Sequence, residues 1–376
     1  MKKNITKKRF SLILLTILTS VFLSCGFDED EGIFKSIRNE VALDEAKIYG
    51  TINSIVRYQL DGVENIFVEN GKIYNRVASI DKDTDGNDVS TFEESAAYQK
   101  LDWNTFTKPS GKVYALGSDS TYLYALSIVF EDDDDGYNTA TTRSLFCYDG
   151  SSWTEIWSTS YSSSYAAYLF CTNAPKNENR EAYFRYGTAV WQLNGTTSLS
   201  DDNAMTTGDT DNSTSPTTGV NSCTKLGSTT YFSSSEAMIS NETSSSDATF
   251  IYYASGDCVY YTSDGSTWTA VDLDCDTIVS LAVTSDYLLA GTDGGIVHTT
   301  WSSEGIPASG NASFSTNASS TLSSYYEILQ VLAVDPSLSE TAGTLFASAD
   351  TSSSSASLKN VGLWGYFASK GKWNRE

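Results

Sequence analysis

Asp81, Asp83 and Asp85 fall in the run DKDTDGND, residues 81–88, where carboxylates alternate with short polar residues around Gly86. Alternating carboxylates on one side of a glycine-pivoted turn converge hard oxygens, the ligand type that Ca²⁺ takes. The second half of the loop breaks the pattern. A carboxylate is wanted at the ninth or twelfth position; Val89 and Phe92 stand there, with Asp88 one residue early and Glu93 one late. Two readings stand, a calcium loop on Asp81, Asp83 and Asp85 or a solvated acidic hairpin tip, and the solvated tip is the stronger. Calcium is the one cofactor the chain suggests. The run EDDDDG at 131–136 lacks alternation and reads as a solvated turn.

Acid–base and nucleophilic chemistry has little to work with. His298 is the only histidine, inside the strand-like GIVHTT, and no second His or Cys stands at a partner spacing. No GxSxG elbow, HExxH pair or phosphate loop occurs. A clamp for a carboxylate substrate would draw on Arg57, Arg76, Arg143 and Arg185, which lie in or beside candidate strands. Paired carboxylates for glycoside hydrolysis cannot be singled out among 47 acidic residues. Aromatics remain: Tyr165, Tyr168, Tyr183, Tyr186, Tyr252, Tyr253, Tyr260 and Tyr261 fall in strands that send neighbours to opposite faces. Most read as core between sheets, and a minority near an axial mouth as a surface for peptide or sugar. The formal net charge of -23 argues against nucleic acid, because an anionic surface repels phosphates.

The elements that would hold these groups begin after a leader. Lys2, Lys3, Lys7, Lys8 and Arg9 form a basic start, and residues 12–23 are an apolar stretch too short to span a bilayer comfortably. It ends in VFLSCG at 21–26. This resembles a bacterial lipoprotein signal, with Phe22 where Leu is usual, a departure found in the relaxed signals of spirochaetes. The resemblance implies a signal peptide over 1–24, lipid (palmitate among its acyl chains) on Cys25, and an acidic tether. A plain signal peptide with an incidental cysteine is the alternative. Of the cysteines, Cys147, Cys171, Cys223, Cys258 and Cys275 remain; none are spaced CxxC, and they read as small apolar residues in strands. Residues 33–49 carry a partial apolar stripe on Val41, Leu43, Ala46 and Ile48, which predicts a short helix or linker, so that 25–49 forms the tether region.

Residues 50–376 read as β throughout. Apolar runs that open a new unit start at residues 52, 112, 164, 221, 277 and 328, about 50–60 apart, each followed by further short runs and turns. Short strands in fours at such a period predict a β-propeller: about six four-stranded blades, with seven as the alternative. The stretch 250–271, FIYYASGDCVYYTSDGSTWTAV, reads as three strands joined by two tight turns. Polar insertions at 200–219, 233–247, 303–324 and 351–357 read as loops or, in part, hairpin extensions.

Asp149-Gly-Ser-Ser-Trp153 and Asp264-Gly-Ser-Thr-Trp268 share one spacing. They resemble the Asp-box turns of sialidase-like propellers, one residue short between Asp and Trp. That resemblance implies turn-capping roles for Asp149 and Asp264 and packing between blades for Trp153 and Trp268; it does not imply an enzyme. With the leader, the layout resembles uncharacterised propeller lipoproteins of spirochaetes such as treponemes. The leading expectation is a binding or scaffolding module, lipid-anchored at a bacterial envelope, on the outer membrane or a periplasmic face, with a protein or glycan ligand. A glycan-active enzyme of sialidase-like type and an assembly factor for envelope proteins are the alternatives.

Overall fold

The computed structural model describes residues 46–77, 103–119, 121–132, 138–165, 167–171, 182–187, 189–200, 238–242, 249–262, 269–284, 286–303, 305–314, 326–334, 344–352, 360–367 and 372–376. They belong to one unit, Glu45–Glu376. Cys25, Asp81, Asp83, Asp85, Asp264 and Trp268 lie outside the described residues.

The first strand shows why these runs become strands covered on both sides. In β1 (Ile55–Leu60), Ile55 joins a core with Ile66, Val68, Leu332 and Phe346, while Val56 and Tyr58 join another with Phe67, Val113 and Leu123. Side chains alternate along a strand, so a continuous apolar run feeds two cores at once. The Asp61-Gly62 turn that ends β1 has both φ angles positive, 53° and 79°. A two-residue hairpin turn of this kind fits the right-handed twist of its strands, and only residues such as Asp, Asn and Gly adopt it cheaply.

Small antiparallel sheets follow one another in chain order. The first holds β1, β2 (Val63–Glu69), β3 (Ile73–Val77) and β4 (Asn104–Phe106). The second holds β5 (Lys112–Ser118), β6 (Leu123–Asp132), β7 (Asn138–Tyr148) and β8 (Trp153–Ser160). The third has β9 (Ala167–Cys171), β10 (Ala182–Tyr186) and β11 (Ala189–Gln192). The next has β12 (Met238–Glu242), β13 (Thr249–Ser255), β14 (Cys258–Thr262) and β15 (Thr269–Asp272). Then come β16 (Ile278–Val283), β17 (Tyr287–Thr292), β18 (Gly295–Ser303), β19 (Ile306–Pro307) and β20 (Ala312–Ser313), with β20 pairing back on β18. The last sheet is β21 (Glu327–Ala333), β22 (Thr344–Asp350), β23 (Gly362–Phe367) and β24 (Lys372–Arg375).

The leading strands meet in a ring: β1 touches β5, β5 touches β9, β9 touches β12, β12 touches β16, β16 touches β21, and β21 touches β1. The arrangement is that of a β-propeller. Polar side chains stitch the ring. The backbone N–H of Ile55 donates to Gln330 Oε1 (2.8 Å) and Gln330 Nε2 donates to the Ile55 carbonyl (3.1 Å). Ser280 Oγ donates to the Ile328 carbonyl (3.2 Å), and the Leu116 N–H donates to Ser54 Oγ (3.0 Å). Bulges re-aim the leading strands at matching places, with Tyr114, Val279 and Leu329 as the extra residues of β5, β16 and β21.

Several expectations need correction. Blades are not uniformly four-stranded: among the described residues the third sheet has three strands and the sheet led by β16 has five. The leading strand of the fourth sheet, Met238–Glu242, lies inside the 233–247 insertion, because pairing with β13 supplies what its short polar sequence lacks. The 303–324 insertion contributes β19 and β20 and buries Phe314. Residues 46–49, the described end of the 33–49 segment, form no helix: Ile48 is buried and Tyr49 bridges Gly362. The rest of that segment, with Val41 and Leu43, lies outside the described residues.

Candidate functional site

An open pocket of about 350 Å³ lies between the second and third sheets, lined by Trp157, Ser158, Thr159, Tyr165, Tyr186, Gly187, Ala189 and Trp191. Its floor follows from strand register. Trp191 on β11 stands opposite Phe184 on β10, and the rings stack at 5.5 Å and 24°. Trp157 on β8 reaches across to Phe184 (4.7 Å) and Tyr186 (4.9 Å), and Tyr165, in the connection to β9, meets Tyr186 at 5.8 Å. The result is an unbroken row of rings. Tyr165 is 55% exposed, whereas Trp191 is buried and its Nε1 donates to the Ser200 carbonyl (3.0 Å). The Leu199 N–H donates to the Ile156 carbonyl (2.8 Å), which holds segment 193–200 against β8.

Arg143 adjoins this floor from outside the pocket lining. It sits on β7 opposite Thr159, is buried, and donates from Nη1 to the Tyr165 carbonyl (2.5 Å). Its guanidinium lies over the rings of Tyr161 (4.9 Å) and Tyr114 (5.9 Å). Burial pushes the Tyr114 hydroxyl upward, and the nearby Arg143 charge opposes that shift. Among the described residues, Arg143 Nε and Tyr114 Oη have no hydrogen-bond partner. The cation fixes the backbone that carries Tyr165 without entering the pocket lining.

The aromatic residues divide between core and surface. Tyr183 and Tyr252 are buried, and Tyr252 donates to the Gly305 carbonyl (2.7 Å). Tyr165 and Tyr186 line the pocket. That pocket lies on β8, β10, β11 and the connection into β9. The lining comes from two different sheets, which spacing along the chain does not reveal.

The four arginines do not converge. Arg57 pairs with Glu64 (3.3 Å) and donates to the Ala333 carbonyl (2.8 Å); Arg76 pairs with Glu376. Arg185 donates to the Gly187 carbonyl (2.8 Å) and lies over Tyr168. His298 is buried edge-on between Tyr287 (4.6 Å) and Phe314 (5.8 Å).

Asp149 Oδ1 accepts from the backbone N–H groups of Ser151 and Ser152 (2.9 Å each) and from Ser151 Oγ (2.7 Å). These bonds, that of Ser152 foremost, push its carboxyl down to about 2. Trp153 Nε1 donates to the Thr107 carbonyl (3.2 Å) just beyond β4, tying the second sheet to the first, and its ring packs on Tyr148 (5.1 Å). Related caps escaped notice in the sequence. Asp119 accepts from the N–H groups of Thr121 and Tyr122, and Thr284 Oγ1 from those of Asp286 and Tyr287. Both turns lead into a second strand beginning at or beside Leu, in SDSTYL and VTSDYL.

Among the described residues, Cys147, Cys171, Cys258 and Cys275 form no disulfide. Burial pushes the Cys147 thiol up to about 12. Asp257, Cys258 and Asp272 bring ligand-type atoms within 4.8 Å of one another at the turn of the β13–β14 hairpin. Burial and the adjoining Asp257 raise the Cys258 thiol, which opposes the thiolate a metal would need. Glu69 is a further group the sequence did not single out. Fully buried, it accepts from the N–H groups of Asn53 (3.1 Å) and Gly71 (3.3 Å), and burial drives its carboxyl up to about 7.

No protein-family model matches the chain, and no curated protein matches it. Among solved structures it is similar to SapL1 lectin in complex with alpha methyl fucoside, at 12% identity over 88% of this chain and 95% of that chain, TM-score 0.40. It is similar to BBS1N in complex with ARL6DN, at 9% identity over 80% and 76%, TM-score 0.39. The AfRom2 CNH domain matches at 10% identity over 67% and 68%, TM-score 0.30. At these TM-scores the likenesses carry no argument, and the propeller assignment rests on the chain's own sheets and ring contacts.

Proposed function

We propose that this chain is a six-bladed propeller acting as a binding or scaffolding module at a bacterial envelope, tethered by lipid on Cys25, with a protein or glycan ligand. The observation that carries the binding role is the open aromatic pocket between the second and third sheets, with an exposed Tyr165 at its edge. Aromatic surface left open to water beside hydroxyl groups is surface that a ligand can cover. The arginines support the glycan-active enzyme poorly, since each is engaged in a structural contact on a different part of the ring.

A docking role, as in envelope assembly, has its own support in the β6–β7 hairpin. Its strands run on past the last pairings with β5 and β8, at Ile128 and Thr142, out to Asp132 and Asn138. Phe130, 42% exposed, sits on that projecting part. Labelling with radioactive palmitate in the natural protein and Cys25→Ser tests the tether; equal labelling in both removes it. Recovery of envelope components on the full-length protein, compared with Tyr165→Ala and Phe130→Ala, tests the binding role and tells pocket from hairpin. Identical recovery by all three removes both surfaces from consideration.

A further inference from the structure

We infer that the pocket between the second and third sheets is a stacking platform for a neutral pyranose sugar, an assignment that rests on the binding-module reading and gives it a ligand class. Three classes of small ligand favour aromatic pockets: cations held in cages, anions drawn by a nearby arginine, and the apolar faces of sugar rings. The ring geometry separates the first from the third. A cage holds a cation over several ring faces at once, within about 6 Å of each centroid, and so needs open space between the rings. Here Tyr165 meets Tyr186 at 5.8 Å and Tyr186 meets Trp157 at 4.9 Å, so the rings touch and leave no space between them. With neighbouring planes tilted by 54° and 58°, they present a stepped aromatic surface of packed rings on which a ligand rests against one ring face at a time.

Charge removes the second class. No lining side chain is charged. Arg143 is only 6% exposed, with its guanidinium over Tyr161 and Tyr114 and Nη1 on the Tyr165 carbonyl, and it is not part of the pocket lining. Its positive charge, held against the Tyr165 carbonyl, also disfavours a cation, while the net charge of -23 opposes an anion approaching from solution. A neutral ring with axial C–H groups on one face suits the negative faces of Tyr186 and Trp157. Ser158, Thr159 and Tyr165, whose hydroxyls can both donate to and accept from sugar hydroxyls, are among the lining residues. The volume of about 350 Å³ lies at the small end of ligand pockets, roughly 300–1,000 Å³, which suits a mono- or disaccharide.

The test is saturation-transfer NMR on the full-length protein in detergent micelles with methyl pyranosides of glucose, galactose, mannose and N-acetylglucosamine. Expected is transfer concentrated on the C–H groups of one ring face, with affinity reduced about tenfold, equivalent to about 1.4 kcal/mol, in Tyr165→Ala and Trp157→Ala. Trp157 packs on Phe184 and its variant can misfold, whereas the exposed Tyr165 is the independent arm. No transfer to any of these pyranosides, or transfer unchanged in Tyr165→Ala, overturns the assignment. Tyr165-dependent binding of choline or a proline-rich peptide in place of the sugars overturns the pyranose class while the binding module stands. No small ligand bound, together with envelope recovery that ignores Tyr165, removes both.

Discussion

Arg76 and Glu376 form a buried ion pair across the seam between the first and last sheets. Trp103 Nε1 donates to the same carboxylate (3.1 Å), and the Arg76 guanidinium lies 5.8 Å from the Trp103 ring centre. The Glu376 backbone is held too: its N–H donates to the Leu363 carbonyl (3.0 Å), and its carbonyl accepts from Lys47 (2.9 Å) and Ile48 (3.0 Å). Removing one partner of such a pair strands a charge out of water. Glu376→Ala should therefore lower unfolding free energy by about 3–5 kcal/mol. Arg76→Met combined with Glu376→Leu should cost less than the sum of the single changes. Urea unfolding of the four proteins measures the coupling, and additive losses would show that the pair is not a unit.

Glu69 should make stability fall as pH rises. Its folded-state carboxyl titrates near 7 instead of 4.5, with burial as the leading cause, so the folded protein holds the proton that the unfolded chain releases first. The contribution is complete below the unfolded value and is lost as pH climbs through about 7. The size is on the order of 3 kcal/mol between the two limits. Glu69→Gln should flatten this part of the profile, read as urea midpoints between pH 4 and 8. A natural protein with no decline over that range would refute the assignment.

Asp149 carries the opposite sign. Its hydrogen bonds from Ser152 and Ser151 hold the carboxyl near 2, below the usual 3.8, so its stabilising contribution is present above the usual value and lost as pH falls through about 2. Asp149→Ala should melt below the natural protein at neutral pH, and the gap should close in strong acid. Asp149→Asn should fall between the two, since an amide oxygen still accepts from the turn. Thermal melts at pH 7 and pH 2 decide it, and a gap that persists undiminished in acid would count against the cap.

Gln330 stands in for a missing strand pairing at the seam, satisfying both backbone groups of Ile55. Gln330→Leu leaves a partly buried N–H and C=O without those bonds, so a loss of about 1–3 kcal/mol is expected. Hydrogen exchange at the Ile55 amide should accelerate more than at Val56. Equal protection in variant and natural protein would mean that another group takes over.

Much of the ring could be read along the chain because its strands bury both faces. The runs beginning at Lys112 and near Thr277 and Ile328 lead into β5, β16 and β21, and the 250–271 stretch holds β13, β14 and β15. Where the leading strand is short and polar, as in MISNE, no apolar run announces it, and pairing alone makes it a strand. The pocket is illegible for a different reason. Trp157, Tyr186 and Trp191 lie on three strands of two sheets, and each looks like ordinary core until the packing of those two sheets is known. Glu69 was hidden likewise: its burial depends on Asn53 and Gly71 folding over it.

Among the described residues the last sheet draws all its strands from residues 327–375, with no strand exchanged between the two ends of the ring. Closure instead lies in the Tyr49–Gly362 bridge and in the Glu376 carbonyl that receives Lys47 and Ile48. Tension arriving along the chain ahead of Ala46 is thus delivered to β23 and to Glu376 before it reaches β1. These contacts must shear before β1 can be peeled from β2, which makes the joint that seals the ring also the point at which it bears load.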